Sequence, residues 1–390
     1  MANALNATLA KRSRKGAVLA GSVAAAMAGM ALWNTYRARK VERAHPPRGR
    51  FVTVDGVRLH YLERDGGRPV VFLHGNVVTA EDFELSGLLD LAAERQCHVV
   101  AFDRPGFGYS DRPRGAMWPP ARQADLLRQA FARLGIERPI IVGHSWGTLV
   151  ALALALDHPD AVSGLVLLSG YYHPTLRADV PLFSLPAIPV IGDLIRYTVG
   201  PLFGAALLPL AAKGMFSPLP VPDRFAKGFP YGVPLRPWQI RAEAQDTATT
   251  LSAVAAMRRR YRELRLPVVI MAGTEDRVVN HRKHAVRLHQ DIAQSALRLV
   301  PGVGHMVHHA VPQQVVDAIE ASANSPTMLR HTAGEVEPVP SAPARLNQDE
   351  NQNRTLRNAL IESGSSGRSG VVSQRKRLGL PGRSAPLTSQ

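Results

Sequence analysis

The chain has 390 residues, 45% apolar and 20% charged, a composition that supplies one large hydrophobic core and excludes a mainly disordered protein. Its formal net charge of +16 is concentrated at the two ends, in residues 11–50 and 325–390. The part between them is close to neutral and aromatic residues make up only 6%, which argues against a nucleic-acid-binding protein. The single cysteine, Cys97, lies in an apolar run, and we interpret it as a small buried hydrophobe.

The N-terminal region combines a basic segment, 1–15, with an uncharged apolar stretch, 16–36. As a helix this stretch is about 31 Å long, just enough to cross the hydrocarbon core of a bilayer. Basic residues flank it on both sides, and Trp33 and Tyr36 lie near its second boundary. The sequence therefore predicts a single-pass membrane anchor followed by a linker, 37–49. The slight excess of basic residues after the stretch favours a cytoplasmic location for the domain that follows.

Two alternatives to the anchor remain open. Ala and Gly dominate the stretch, and a signal peptide cleaved near Ala26-Met27-Ala28 fits the same pattern. A plain soluble extension is the other alternative. Because no motif lies in residues 1–45, the sequence predicts that their removal leaves the activity of the following domain intact.

Short apolar runs rich in β-formers alternate with helical patterns through the middle of the chain. This alternation is typical of an α/β fold with a mainly parallel sheet covered by helices. Asp55-Gly56 is a turn signal for an initial hairpin. The predicted strands are 51–54, 57–62, 69–75, 97–103, 139–145, 162–170, 267–276 and 296–300, and the predicted helices are 80–94, 120–134, one from Trp146, 281–291 and 312–322. The core is thus expected to consist of residues 50–170 and 265–322.

The segment 171–264 interrupts this alternation and is too long for an ordinary loop. It is Pro-rich and apolar at first and then more polar and helical, which predicts a helical cap inserted between core strands. From residue 325 to 390 Ser, Pro, Gly, Asn, Gln and Arg prevail, which predicts a disordered tail. A basic cluster at 375–377 has the charge to touch anionic lipid or an acidic partner, although a solvated charge run explains it as well.

The string Gly143-His144-Ser145-Trp146-Gly147 follows one apolar run and opens a helical one. A serine between glycines at a sharp strand-to-helix turn is typical of a nucleophile elbow. The serine adopts a strained backbone, and larger side chains two positions away would collide with the neighbouring strand and helix. The pattern predicts Ser145 as a nucleophile.

A serine hydroxyl near neutral pH needs a base to take its proton and a carboxylate to fix the tautomer of that base. The elbow scheme places the acid and then the histidine on loops after later strands. Asp276 and His305 both follow apolar runs in that order, and we predict them as orienting acid and base. Glu275 is the alternative acid, because one residue of loop rotation would exchange it with Asp276.

The loop His74-Gly75-Asn76 follows another predicted strand. In the same scheme such a loop gives one backbone N–H to an oxyanion hole and the residue after the nucleophile gives the other. We therefore predict Asn76 and Trp146 as the two donors. His74 is expected to be buried and to shape the loop.

Other histidines lie close to His305 in the sequence. His308 and His309 have no carboxylate or cysteine at ligand spacing, so we predict exposed helix positions for them and no metal site. The same holds for the histidines of the preceding helix: His281, His284 and His289.

Five motifs together resemble the α/β-hydrolase superfamily over roughly residues 50–322: HGN (74–76), DRPGFGYSDRP (103–113), GHSWG (143–147), GTEDRVV (273–279) and GVGHMVHHAVP (302–312). This resemblance implies the α/β-hydrolase fold. The first two motifs and Trp146 are similar to haloalkane dehalogenases and epoxide hydrolases, which use an aspartate where this chain has Ser145. The serine implies acyl chemistry instead. The SWG string is similar to proline iminopeptidases, which implies an amide-cleaving alternative with Glu243 and Asp246 as the nearest carboxylates for a substrate ammonium.

These features together predict a membrane-anchored serine hydrolase that needs no cofactor. Its expected reaction is cleavage of a carboxylic ester of a largely apolar substrate through an acyl-enzyme on Ser145. A peptidase or a carbon–carbon bond hydrolase with the same residues is the alternative among enzymes. A non-catalytic, hydrolase-like binding protein is the alternative of another class. The sequence leaves the substrate and the oligomeric state open.

Overall fold

The computed structural model describes residues 2–175 and 180–324, without the side chains of residues 2–10, 12 and 13. The predicted tail lies outside the described residues. Eight strands form one sheet in the order β1-β2-β4-β3-β5-β6-β7-β8, in which β2 is antiparallel to both neighbours and the other pairs are parallel. The predicted mainly parallel sheet is confirmed. The strands are β1 (Arg50–Val54), β2 (Val57–Arg64), β3 (Arg68–Leu73), β4 (Cys97–Phe102), β5 (Ile140–His144), β6 (Gly164–Leu168), β7 (Val268–Gly273) and β8 (Ser295–Val300).

Helices cover both faces of the sheet. The described α-helices outside the β6–β7 connection are α1 (Ala2–Ala44), α2 (Glu81–Leu85), α3 (Leu88–Glu94), α4 (Pro120–Leu134), α5 (Gly147–Asp157), α11 (Arg287–Asp291), α12 (Val307–Ala310) and α13 (Pro312–Ala323). One predicted helix, 80–94, is divided into α2 and α3, because Gly87 adopts a left-handed backbone with φ of 80°. Glycine accepts that conformation at little cost.

Two apolar layers flank the central strands, as the alternation of side chains in β3 illustrates. Val71 and Leu73 join the layer formed with α4 and α5, whereas Val70 and Phe72 join the layer formed with α3 and α13. All four side chains are fully buried. Burial of each contributes about 1.5–3 kcal/mol to folding, so the sheet is held rigidly from both faces.

The connection between β6 and β7, residues 169–267, is here called the insertion. Its longest helix, α10, packs against α5 of the core and against α6, α7 and α8 of the insertion. The described helices of the insertion are α6 (Val180–Ser184), α7 (Ile191–Tyr197), α8 (Gly200–Phe216), α9 (Asp223–Gly228) and α10 (Pro237–Met257).

The C-terminal part of α1 is docked on the insertion. The Asn34 side chain donates hydrogen bonds of 2.9 and 2.6 Å to the carbonyls of Tyr197 and Thr198. Glu42 lies 2.8 Å from the guanidinium of Arg236, which is completely buried. The helix thus continues through the first eight residues of the predicted linker, 37–49, because these residues have packing partners.

Because the end of α1 is docked on the insertion, removal of residues 2–45 should destabilise the folded protein. A variant lacking residues 2–45 loses Glu42 and leaves Arg236 buried without its partner, whereas a variant lacking residues 2–30 keeps both. Loss of one partner of a buried ion pair costs about 3–5 kcal/mol, and the cost here lies at the lower end because the Glu42 side chain is 34% exposed. We expect the longer deletion to lower the free energy of unfolding by about 3 kcal/mol relative to the shorter one, measured by urea denaturation. Equal stabilities would contradict the structural role of the docked helix end.

Candidate active site

Ser145 lies at the sharp turn between β5 and α5. Its φ of 51° is in the left-handed region, and its N–H donates a 2.8 Å hydrogen bond to the carbonyl of Leu168. A Cβ on Gly147 would collide with the carbonyl oxygen of Leu73, and one on Gly143 would lie 2.8 Å from the Cα of Thr148. Both glycines are therefore required for the close approach of strand and helix that presents the serine.

The structure brings the three predicted catalytic side chains together. His305 Nε2 lies 2.9 Å from Ser145 Oγ, and His305 Nδ1 lies 2.8 Å from Asp276 Oδ2. Asp276 Oδ1 accepts hydrogen bonds of 2.8 Å from the N–H groups of Val278 and Val279, which fixes the carboxylate. Asp276 and His305 are buried and Ser145 is half-buried, so the hydroxyl remains accessible.

The alternative acid, Glu275, is exposed and lies elsewhere on the loop. Its carboxylate accepts a hydrogen bond of 3.4 Å from the hydroxyl of its neighbour Thr274. The geometry therefore favours Asp276 as the partner of His305.

The insertion supports the position of His305. The N–H of His305 donates a 3.0 Å hydrogen bond to the carbonyl of Met215 in α8, and its carbonyl lies 3.2 Å from His144 Nε2. A Cβ on Gly304 would collide with the carbonyl of Ser217. The loop that carries the histidine is thus held between β5 and the end of α8.

The loop of the predicted oxyanion hole lies directly against the nucleophile, since a Cβ on Gly75 would be 3.0 Å from the Cβ of Ser145. The Nδ1 of the buried His74 lies 2.6 Å from the carbonyl of Gly75, and its Nε2 accepts a hydrogen bond from the N–H of Arg104. Burial and the nearby Arg104 cation lower the pKa of His74 to about 3, so it stays neutral. The assignment of Asn76 and Trp146 as oxyanion donors stays a prediction.

Arg104 connects this loop to the insertion and was missed as a functional residue by the sequence reasoning. It is completely buried and donates hydrogen bonds to the carbonyls of His74 and Gly75 and to Asn76 Oδ1, at 2.8, 3.1 and 2.8 Å. Its guanidinium carbon lies 4.4 Å from the ring centre of Trp146. It therefore touches both predicted oxyanion residues. Its position in the DRPGFGYSDRP motif was the available signal.

Asp246 of α10 balances the charge of Arg104. Its carboxylate is completely buried and lies 2.5 Å from Arg104 and 2.9 Å from Arg112. Asp246 is thus engaged by two guanidinium groups, which argues against the substrate-ammonium role considered for it in the amide-cleaving alternative. On the same helix, burial raises the pKa of Glu243 to about 8, which leaves this side chain neutral at pH 7.

A family model described as the alpha/beta hydrolase fold matches residues 68–310, more than half of the chain. The chain belongs to the α/β-hydrolase family.

Relatives of this α/β hydrolase have diverse activities. An uncharacterised protein of Mycobacterium tuberculosis is 29% identical over 302 residues, which cover 72% of this chain and 83% of that protein. The 2-hydroxy-6-oxo-2,4-heptadienoate hydrolase of Pseudomonas putida is 27% identical over 266 residues, covering 66% and 90%. A solved bacterial membrane phospholipase A has a TM-score of 0.53 and 21% identity, covering 81% of this chain and all of that one. At this identity the structural likeness shows the fold alone.

A second polar cluster of this hydrolase lies beside the candidate site. His308 Nε2 and His309 Nε2 each lie 2.8 Å from a different oxygen of Asp82, which is fully buried. The exposed positions predicted for these two histidines are therefore wrong, because Asp82 approaches from α2. His284, also predicted to be exposed, is buried and accepts a hydrogen bond from the N–H of Tyr172.

The side chains of Asp82, His308 and His309 lie close enough to hold a metal ion, with their ligand atoms within 4.8 Å of one another. The hydrogen bonds from both imidazole rings to the Asp82 carboxylate account for this arrangement. Burial alone would raise the pKa of Asp82, but the attraction of His308 and His309 holds it well below its usual range. The carboxylate is therefore ionised and binds both imidazole rings, which fixes α2 to α12.

Buried neutral histidines make the fold sensitive to acid. Burial lowers the pKa of His74 to about 3, that of His284 to about 4 and that of His144 well below its ordinary value of 6.5. Below pH 6.5 these histidines bind protons in the unfolded chain but not in the folded protein, so the free energy of unfolding decreases as the pH is lowered. Each contributes up to about 1.4 kcal/mol per pH unit. We expect the free energy of unfolding to fall from pH 7 to pH 5 in urea denaturation.

Glu243 acts in the opposite sense and provides a matched control. Its folded pKa of about 8 lies above the ordinary value of 4.5, so between these values the folded protein binds the extra proton. This group therefore adds stability as the pH falls. Glu243→Gln should make the loss of stability from pH 7 to pH 5 steeper. A stability that is constant or rises over this range in the unaltered protein would contradict the assignment of the neutral histidines.

Proposed function

We propose that this hydrolase cleaves carboxylic esters of largely apolar substrates through an acyl-enzyme on Ser145. The observation that carries the proposal is the continuous chain of contacts from Ser145 Oγ through His305 to Asp276, at 2.9 and 2.8 Å. A serine presented on a strained turn next to a buried, carboxylate-oriented imidazole is the arrangement that nucleophilic acyl transfer requires.

In the first half of the proposed reaction, Ser145 Oγ attacks the ester carbonyl carbon while His305 Nε2 takes the hydroxyl proton. The negative charge that develops on the carbonyl oxygen is stabilised by the N–H groups of Asn76 and Trp146, each worth roughly 3–4 kcal/mol of barrier. The bond to the alcohol oxygen then breaks, and the protonated His305 gives its proton to the departing alcohol. Asp276 remains ionised and stabilises the imidazolium.

In the second half, a water molecule attacks the acyl-enzyme and His305 takes its proton. The bond between the acyl carbon and Ser145 Oγ breaks, the serine recovers a proton from His305, and the carboxylic acid leaves. Neither half requires a cofactor or a metal.

An aminopeptidase activity is less well supported. Asp246 is engaged by Arg104 and Arg112, and Glu243 is neutral near pH 7, so neither offers a free negative charge to a substrate ammonium. A carbon–carbon bond hydrolase would use the same three side chains, and the Pseudomonas putida relative is named a hydrolase of 2-hydroxy-6-oxo-2,4-heptadienoate, a dicarbonyl compound. Its substrates therefore belong in the screen that tests the proposal.

The apolar substrate is inferred from the composition of the insertion. Residues 181–220 contain only three charged side chains, Asp193, Arg196 and Lys213. Many of the apolar side chains in this segment face outward, but Ala212 and Phe216 of α8 are buried in one apolar cluster with Met306, the residue after His305. We propose that the substrate lies against this inward face. Each methylene buried there contributes about 0.8 kcal/mol, or about a fourfold gain in specificity when it is realised in the transition state.

The experiment is a series of p-nitrophenyl esters from acetyl to octanoyl, run beside an aminoacyl nitroanilide and a vinylogous 1,5-diketone. We expect kcat/KM to rise by tens of fold along the ester series and to exceed the values for the other two substrates. A flat or falling series would remove the apolar-substrate claim. A preference for the nitroanilide or the diketone would remove the esterase claim.

We also propose that α1 anchors the hydrolase in a membrane. Residues Arg14–Ala44 include a window that is long and apolar enough to span a bilayer, and none of this window is buried inside the protein. The full-length protein should remain in the membrane fraction after a carbonate wash. A variant lacking residues 2–30 should be released by the same carbonate wash with its ester hydrolysis intact, because Asn34 and Glu42 remain. Release of the full-length protein, or a mature N-terminus near Gly29, would contradict the anchor.

A further inference from the structure

The insertion has an unusually apolar outer surface. Among the described residues, 22 large hydrophobic side chains are exposed, and 12 of them lie between positions 182 and 219. Six more lie in α1, and the rest of the described chain contributes only four. An exposed patch of this kind marks an interaction site. We call the following group the apolar surface: Leu182, Phe183, Leu185, Ile188, Val190, Ile191, Leu194, Val199, Leu202, Phe203, Leu210 and Leu219.

The apolar surface carries little unbalanced charge. Arg196 of α7 is buried and bonds to Asp193 and to the carbonyl of Pro186, so its charge is neutralised within the insertion. Lys213 lies in the last turn of α8. The segments Val180–Ala187 and Ile191–Tyr197 together are as apolar as a membrane-spanning helix but meet at an angle of 96°. A shape bent so sharply suits the boundary of a bilayer better than a straight crossing.

The contact with α1 places this surface at a defined depth. Asn34 lies between Trp33 and Tyr36, the aromatic residues at the end of the apolar stretch, where a spanning helix meets the headgroups. The same Asn34 side chain binds the carbonyls of Tyr197 and Thr198, at the junction of α7 and α8. The junction therefore lies at the level of the headgroups whenever α1 spans the bilayer.

We propose that α6, α7 and α8 form a second membrane contact beside α1, with the apolar surface in the boundary between headgroups and acyl chains. The bilayer is the occupant that the structure favours over a second copy of the chain. The helix α1, which carries six further exposed apolar side chains, packs against α7, and the buried Asn34 donates hydrogen bonds to the carbonyls of Tyr197 and Thr198 that fix the two to each other. Apolar faces of this kind bind membranes in proportion to the apolar area that they bury.

The membrane contact also indicates a substrate class, and this part of the inference rests on the proposed function. The helix that packs against α6 and α7 is α10, whose Asp246 binds Arg104 beside the predicted oxyanion loop. The helix α8 binds the backbone of His305 through Met215. The membrane contact and the site thus share the same helices, so an amphiphilic acyl ester taken from the bilayer is the substrate class that fits.

The test uses the full-length protein in vesicles of phosphatidylcholine and phosphatidylglycerol. Cys97 is the single cysteine, so a Cys97→Ala background permits single labels at Ile191→Cys, Phe203→Cys and, as a matched exposed apolar control far along the sheet, Leu299→Cys. Each is labelled with the environment-sensitive fluorophore NBD. We expect blue-shifted emission and strong quenching by lipids with a spin label on the upper acyl chain at positions 191 and 203, and neither effect at 299.

Equal emission and quenching at all three positions would overturn the second contact. Protection at 191 and 203 that depends on protein density and resists quenching by spin-labelled lipid would show a second copy of the chain instead, and would also overturn it. The measurement uses no catalysis and is repeated with Ser145→Ala, so its failure is distinct from a failure of the esterase proposal. For the substrate, vesicle phospholipids and soluble octanoyl esters are compared at equal acyl concentration. A tenfold preference for the soluble ester would overturn the proposal of a lipid substrate and leave the membrane contact and the esterase proposal standing.

Discussion

Replacement of Ser145 or His305 by alanine is expected to lower kcat for ester hydrolysis on the order of a million-fold, because nucleophile and base act as one unit. His305 Nε2 lies 2.9 Å from Ser145 Oγ, so loss of either atom removes the proton transfer that creates the nucleophile. The double variant should be no slower than either single variant. The measurement is kcat with an octanoyl ester for the three purified variants.

Two isosteric replacements, one at Asp276 and one at the neighbouring Glu275, test which residue is the acid of the site. Asp276→Asn should keep the fold and lower kcat by about 10⁴, because an asparagine stabilises the wrong tautomer of His305. Glu275→Gln, on the neighbouring exposed residue, should leave kcat within a factor of about two, since its carboxylate lies away from His305. A larger loss in Glu275→Gln than in Asp276→Asn would contradict the assignment of the acid.

Asp246→Asn is expected to lower the free energy of unfolding by about 3–5 kcal/mol, because it leaves the fully buried Arg104 without its carboxylate partner. The same change should lower kcat more than it raises KM, since Arg104 holds the carbonyls of His74 and Gly75 beside Ser145. A shift of that loop weakens interactions that form only in the transition state. Urea denaturation and ester kinetics measure the two effects.

Glu243→Gln is the control for this change, one helical turn away on α10. Since Glu243 is neutral near pH 7, glutamine replaces it without removal of a charge and without the cost of protonating a carboxylate, so we expect no loss of stability at pH 7. An equal loss of stability in both variants would show that the cost comes from disturbance of α10. The proposed role of the pair between Arg104 and Asp246 would then be wrong.

The sheet and the turn at Ser145 could be predicted because their signals are local. Continuous apolar runs mark the buried parallel strands, and the glycines around Ser145 reflect collisions with residues that are close in sequence or in the adjacent strand. Asp276 and His305 could be predicted because they follow such strands in the expected order. The division of helix 80–94 was missed, although Gly87 was a visible signal.

The polar partners of the site could not be predicted because they join distant parts of the chain. Asp82 lies 226 residues before His308, and Arg104 lies 142 residues before Asp246. A pattern of charge or hydropathy along the sequence carries no information about such pairs. The docking of α1 was missed for the same reason, since the partner of Glu42 is Arg236, far along the chain.

The most direct measurement is the mass of the protein after reaction with a fluorophosphonate, followed by peptide mapping. The proposed mechanism predicts one covalent adduct, located on Ser145, that forms in the unaltered protein and is absent from Ser145→Ala and His305→Ala. Equal labelling of the unaltered protein and Ser145→Ala, or an adduct located on another residue, would contradict the central claim that Ser145 is the catalytic nucleophile.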